Sequence, residues 1–175
     1  MADPNSDLEL LDVVNGEDQV VAQASRGKIH HARLRHRAAH IMVFNPAGDF
    51  FLQRRAWWKE CAPGLWDTSA AGHLGAGESY ATAAARELTE ELSVSAPIAL
   101  TRFFKLPAAA ETGFEFVEVF MTTVTQPLTP DPAEIIDSRW CTVRRLDFWL
   151  AAEPAAFTGT FRQIWARWRA MKAQA

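Results

Sequence analysis

Three carboxylates, Glu87, Glu90 and Glu91, stand at a spacing that puts them on one narrow face of a helix. Like charges this close repel, and a divalent cation is the usual remedy. Hard oxygen ligands favour magnesium, manganese or calcium. The same segment also reads as a solvated face, with Arg86 and Glu90 as an ordinary ion pair one helical turn apart. The stretch before it, Gly72 to Gly77, is rich in glycine, and a loop of that kind brings backbone carbonyls within reach of whatever the carboxylates hold.

Something must hold the carboxylate helix. Ala81, Ala85, Leu88 and Leu92 recur at helical spacing and predict a core-facing stripe a third of a turn from the glutamates. Thr68 to Ala71 reads as a short strand feeding the glycine loop, and Pro97 bars helical continuation. Upstream, His36 to Asn45, a turn at 45–49 and Phe50 to Arg54 read as a hairpin. Downstream, Ile98 to Leu106, Phe114 to Thr125 and Ile135 to Thr142 read as strands. Val143 to Ala152 and Phe157 to Lys172 read as helices, the last with Phe161, Ile164, Trp165 and Trp168 on a core face. This order predicts an α/β (α+β) fold with a mixed sheet between helices. A loose leader over 1–7 precedes a small hairpin from Leu8 to Val14 and Gln19 to Ala24, turned at Asn15-Gly16. We divide the chain into residues 1–35, packed on the main domain, and a main domain over 36–175.

Positions outside the helix add candidates. Arg54, Arg55 and Lys59 are cations for phosphate, although Arg54 and Arg55 alternate across a strand and only one can face a cleft comfortably. The basic run Ser25 to Arg35 is either a solvated connector or an electropositive rim. Trp57, Trp58 and Trp66 either cover a small core or wall a ligand.

Gly72, Glu78, Arg86, Glu87, Leu88, Glu90, Glu91 and Val94 fit the pattern G-x5-E-x7-R-E-U-x-E-E-x-G-U, where U is aliphatic. The sequence therefore resembles the Nudix hydrolase family. One fixed position departs: Ser93 stands where the pattern has a glycine, which serves a helix C-cap of positive φ. The resemblance implies an α/β/α sandwich and a Mg2+-dependent hydrolase (Mn2+ as substitute). Its action would be attack of water on phosphorus in a nucleoside diphosphate derivative or related diphosphate. It gives Glu87 and Arg86 the catalytic part, and Glu87, Glu90, Glu91 and the Gly72 carbonyl the metal. Glu78 becomes a structural partner for Arg86. Glu111, Glu115, Glu118 and Glu134 remain candidates for a general base from a later loop.

The segments HRAAHIMVFNPAGDFFLQRR, PGLWDTSAAGH and GFEFVEVF look like the Nudix branch that contains isopentenyl diphosphate isomerase. That likeness implies metal ligands at His36, His73 and Glu115, which also serve as candidates for an additional base. The isomerase uses a cysteine where this chain has Ala71, and a methyl group cannot move protons. Cys61 lies ten residues too early in the sequence to substitute. Hydrolysis is the expectation. Isomerisation and a non-catalytic nucleotide-binding module are the alternatives.

Composition is consistent with this. The chain has 175 residues, 49% of them hydrophobic, which is enough for one packed domain. A net charge of −3 offers no bulk attraction to nucleic acid or an anionic membrane. Two cysteines make no disulfide framework, and the acidic N-terminus lacks an apolar targeting segment, so a cytoplasmic location is expected. The expected partner is a small diphosphate or nucleotide. Monomer and homodimer stay open.

Overall fold

The computed structural model describes residues 8–94 and 98–174. The expected leader over 1–7 and the expected stop at Pro97 lie outside them. The chain runs β1 (Leu10–Val14), β2 (Val20–Ser25), α1 (Arg26–Ala32), β3 (His36–Phe44), β4 (Phe50–Arg55), β5 (Trp66–Asp67), β6 (Ala70–His73) and α2 (Tyr80–Leu92). It continues through β7 (Thr101–Leu106), β8 (Glu115–Thr123), β9 (Ile135–Cys141), α3 (Val143–Ala152) and α4 (Gly159–Lys172). Among the described residues no helix is long and apolar enough to cross a membrane.

Strand β3 organises the main sheet. It lies parallel to β8 from His36 opposite Glu115 to Phe44 opposite Thr123, and antiparallel to β6 and β4. Strand β9 adds to β4, and β7 to β8, giving a seven-stranded mixed sheet. Alternation along β3 separates two cores. Ala38, Met42 and Phe44 pack with Phe161, Ile164, Trp165 and Trp168 of α4, while Ala39, Ile41 and Val43 pack with Ala83, Ala84, Leu88 and Leu92 of α2. The expected sandwich and mixed sheet are present.

Several expectations need correction. The buried stripe of α2 holds Ala83 and Ala84 in place of Ala81 and Ala85, which are exposed, and it includes Glu87 and Glu91. The carboxylate face and the core face therefore overlap. Ser25 to Arg35 is no open connector. Ser25 caps α1 by accepting the Lys28 amide, and Ile29 anchors the helix in a small third core with Leu11 and Ala24. Trp66 is buried, but Trp57 and Trp58 are exposed and cover no core. The strand feeding the glycine loop is Ala70–His73, because Thr68 and Ser69 form a buried bend in which Ser69 bonds both Val43 and Phe51.

The N-terminal hairpin packs on the main domain. Strand β1 runs beside the glycine loop: Ala76 donates its amide to Leu10, and Gly77 donates to the Asp12 carboxylate. At the hairpin tip, Asp18 accepts Arg37 Nε at 2.7 Å, Lys105 Nζ at 2.6 Å and the Tyr80 hydroxyl at 2.9 Å. This latch ties the hairpin tip to β3, α2 and β7.

Ser93 now has a physical account. It takes the left-handed C-cap conformation that glycine usually supplies, with φ 55°, and its hydroxyl donates to the Thr129 carbonyl at 3.1 Å. That bond offsets strain in the cap.

Candidate active site

A cleft of about 1210 Å³ opens between α2, the loop after β4, α1 and the start of β8. Its first wall is α2. The residues from the glycine loop through α2 are braced by Arg86. Its guanidinium grips both oxygens of Glu78 at 3.0 Å, donates to the His73 carbonyl, and reaches Glu87 at 2.6 Å and Glu90 at 3.0 Å. Glu78 in turn accepts the Gly75 amide. Glu78 thus ties the loop to the helix, and Arg86 orients carboxylates.

The three glutamates of α2 are not equivalent. Glu90 is open to solvent, whereas Glu87 and Glu91 are buried. Glu87 sits over the backbone of β6 so closely that a methyl group at Gly72 would collide with its carboxylate. Burial, then the nearby Glu91 charge, pushes Glu87 up to about 7. Burial raises Glu91 as well. Glu91 accepts from Gln53 and from the Ala71 amide, both at 3.1 Å, and Lys59 lies 3.6 Å away. Two buried carboxylates with hard oxygen donors, beside a glycine cradle, fit a divalent cation such as Mg2+. Their oxygens are not gathered on one point here, being held by Arg86, Gln53 and Lys59.

The second wall is imidazole. His36 from β3, His73 from β6 and His30 from α1 bring one ligand nitrogen each within 4.8 Å of one another. Glu115 opens β8 opposite His36 in the parallel register, and it accepts from His73 Nε2 at 3.0 Å. His36 Nδ1 donates to the Leu34 carbonyl at 2.9 Å, which turns Nε2 towards Glu115. That nitrogen is buried, has no hydrogen-bond partner, and lies 3.6 Å from Glu115. A buried ring nitrogen with no hydrogen-bond partner, beside a carboxylate and two imidazoles, is the setting of a metal ligand. Burial pushes His73 down to about 4, which keeps the ring neutral, the form that ligates metal. Burial disfavours the Glu115 anion, but His36 and the hydrogen bond from His73 more than offset it and hold that carboxyl well below its usual range.

Residues named from sequence divide clearly. Glu87, Glu90, Glu91, Gly72, Arg86, His73, Glu115, Arg55 and Lys59 all line the cleft, and His36 stands at its imidazole wall. Arg54 does not line it. Its Nε donates to the Gly64 carbonyl and its guanidinium stacks on Trp57, so strand parity sends Arg55 inward instead, 3.6 Å from Asp67. Of the candidate bases, Glu111, Glu115 and Glu134 reach the cleft. Glu118 lies on the other face of β8, paired with Arg102 and Lys105. Arg26 and Arg33 join the lining, so part of the basic run is an electropositive rim. Sequence alone does not single out His30. The signal is the basic run itself, but only the docking of α1 shows which of its histidines turns inward. Cys61 also reaches the cleft; burial, and then Glu60, push its thiol up.

A family model described as a NUDIX domain matches residues 34–161. The isopentenyl-diphosphate Delta-isomerase of Nocardia farcinica is 40% identical over 82% of this chain and 82% of its own length. An uncharacterized Nudix hydrolase of Streptomyces coelicolor is 36% identical over 73% of this chain and 71% of its own. A crystal structure of a Deinococcus radiodurans protein superposes with a TM-score of 0.73 at 28% identity, covering 82% of this chain and 90% of that one.

Proposed function

The chain belongs to the Nudix family, and on that premise we propose that it is a Mg2+-dependent hydrolase of a nucleoside diphosphate derivative or related diphosphate. The observation that carries this reading is the buried pair Glu87 and Glu91 on a helix braced by Arg86 and Glu78, facing a cleft whose Ala71 offers a methyl group. Glu87, Glu91, Glu90 and the Gly72 carbonyl would hold magnesium or manganese. When bound, the cation neutralises diphosphate charge and acidifies a coordinated water.

The chain's own groups supply the rest. Arg55 and Lys59 lie on the cleft wall where they can hold phosphate oxygens. Glu87, with a pKa of about 7 before any cation is bound, can hold or release a proton near neutrality. Arg86 keeps that carboxylate turned towards Gly72. The cleft volume suits a nucleotide-sized ligand. A panel of nucleoside diphosphate derivatives, coenzyme A and prenyl diphosphates, assayed with Mg2+, with Mn2+ and with chelator, tests this. We expect metal-dependent release of a phosphorylated product from at least one compound. Tight binding without turnover across the panel would instead favour a nucleotide-binding module.

A second reading is favoured by one assembly, namely His36, His73 and Glu115 gathered beside the cleft in a chain 40% identical to an isopentenyl-diphosphate Delta-isomerase. These residues would hold a metal for that reaction or lend the hydrolase an additional base. Ala71 weighs against isomerisation, because it leaves no group there to carry a proton.

A further inference from the structure

The cleft contains a thiol that neither wall uses. Cys61 lies in the loop after β4, and that loop is pinned. Arg55 Nε donates to the Cys61 carbonyl at 3.0 Å, Trp58 donates its indole N–H to the Ala133 carbonyl, and Gly64 donates to Arg55. The loop thereby faces α1 across the cleft mouth. There His30 Nδ1 donates to Glu60 at 3.0 Å. The Cys61 sulfur, a His30 ring nitrogen and a Glu60 oxygen lie within 4.8 Å of one another.

Two features make this more than a chance cysteine near a histidine. First, three different donor types converge from two separate elements, and donor atoms around a tetrahedral ion stand roughly 3.5 Å apart. Exposed Glu60 and Cys61 side chains can close the remaining distance by rotation. Second, His30 also belongs to the adjoining imidazole cluster, where the buried His36 Nε2 has no hydrogen-bond partner. Thiolate and imidazole donors select zinc-like ions over magnesium, which prefers oxygen alone.

We propose that His30, Glu60 and Cys61 form a site for a borderline-soft transition metal of the zinc class at the cleft mouth, with the Cys61 thiolate as its soft ligand. Binding would replace the S–H bond by a metal–sulfur bond, and the proton leaves to solvent. The ion would staple the loop after β4 to α1. The site is separate from the box carboxylates and does not depend on hydrolysis.

Co2+ is a suitable probe, because a cobalt–thiolate bond absorbs in the near ultraviolet where cobalt on nitrogen and oxygen ligands does not. The metal-free full chain is titrated with Co2+ under reducing conditions. We expect a thiolate charge-transfer band that saturates at one equivalent, disappears in Cys61→Ser, and needs on the order of tenfold more metal in Glu60→Gln. Far-ultraviolet circular dichroism of the variants checks that each is folded. Cobalt binding without a sulfur band would overturn the proposal, as would a band that survives in Cys61→Ser or no binding at all. None of those results would bear on magnesium-dependent turnover.

Discussion

The two walls of the cleft are built by opposite strategies. The carboxylate wall is local: Glu87, Glu90, Glu91 and the bracing Arg86 lie on one helix, and Glu78 is only eight residues from its partner. The imidazole wall is assembled from α1, β3, β6 and β8, and it exists only if the N-terminal hairpin is latched and β3 pairs β8 in register. A helix can hold like charges at fixed spacing whatever the rest of the chain does. Four separate elements can bring three imidazole rings and one carboxylate together only at the end of folding. Local damage should therefore disable the first wall, and distant damage the second.

The largest expected effect is on the first wall. Glu87→Gln and Glu91→Gln should each lower magnesium-dependent turnover by roughly a hundred- to a thousandfold, at unchanged fold. Steady-state kinetics beside circular dichroism would show it, and near-normal turnover in both variants would remove the metal assignment.

Next is a pH effect on stability. Glu87 titrates at about 7 in the metal-free fold against 4.5 for an ordinary glutamate. The fold therefore carries no Glu87 penalty below that ordinary value and loses stability as pH rises through about 7. Glu87→Gln removes this slope. In chelator, urea midpoints should show the variant gaining on wild type by up to ~3 kcal/mol across that window. Added Mg2+ should narrow or reverse the gap.

Asp18→Ala tests the distant half of the comparison. It leaves Arg37, Lys105 and Tyr80 without their shared acceptor and should cost about 2 kcal/mol in a urea melt. Metal affinity at the imidazole wall should fall with it, because His30 rides on α1, while Mg2+ affinity at α2 should change little. Equal losses at both walls would break the distinction drawn here.

Glu115→Gln should lower turnover by only on the order of tenfold. A loss as large as that of Glu87→Gln would move the reacting centre to the imidazole wall. Smallest of all, Ser93→Gly exchanges cap strain for a lost hydrogen bond to Thr129, and its melt should stay within about 1 kcal/mol of wild type.

What the sequence made legible follows from the same contrast. The glutamate pattern could be read because its residues lie within one loop and one helix, and the sandwich because strand and helix periods are local. The burial of Glu87 and Glu91 could not, since it depends on how α2 is rotated against the sheet. Strand alternation correctly limits Arg54 and Arg55 to one inward side chain, but only pairing with β5 and β9 shows that it is Arg55. His30, Glu60 and Cys61 come together across thirty residues of chain through the docking of α1, which no spacing rule reports.

On the proposed function, the carboxylate wall directs water onto phosphorus. One reaction tests it most directly: metal-loaded protein with the diphosphate panel, isopentenyl diphosphate included, in isotopically labelled water, with products weighed by mass spectrometry. We expect cleaved products carrying the label on phosphate, none from Glu87→Gln or Glu91→Gln, and isopentenyl diphosphate unchanged in its double-bond position. Conversion of isopentenyl diphosphate to its isomer without phosphate release, at a rate exceeding any hydrolysis, would contradict it.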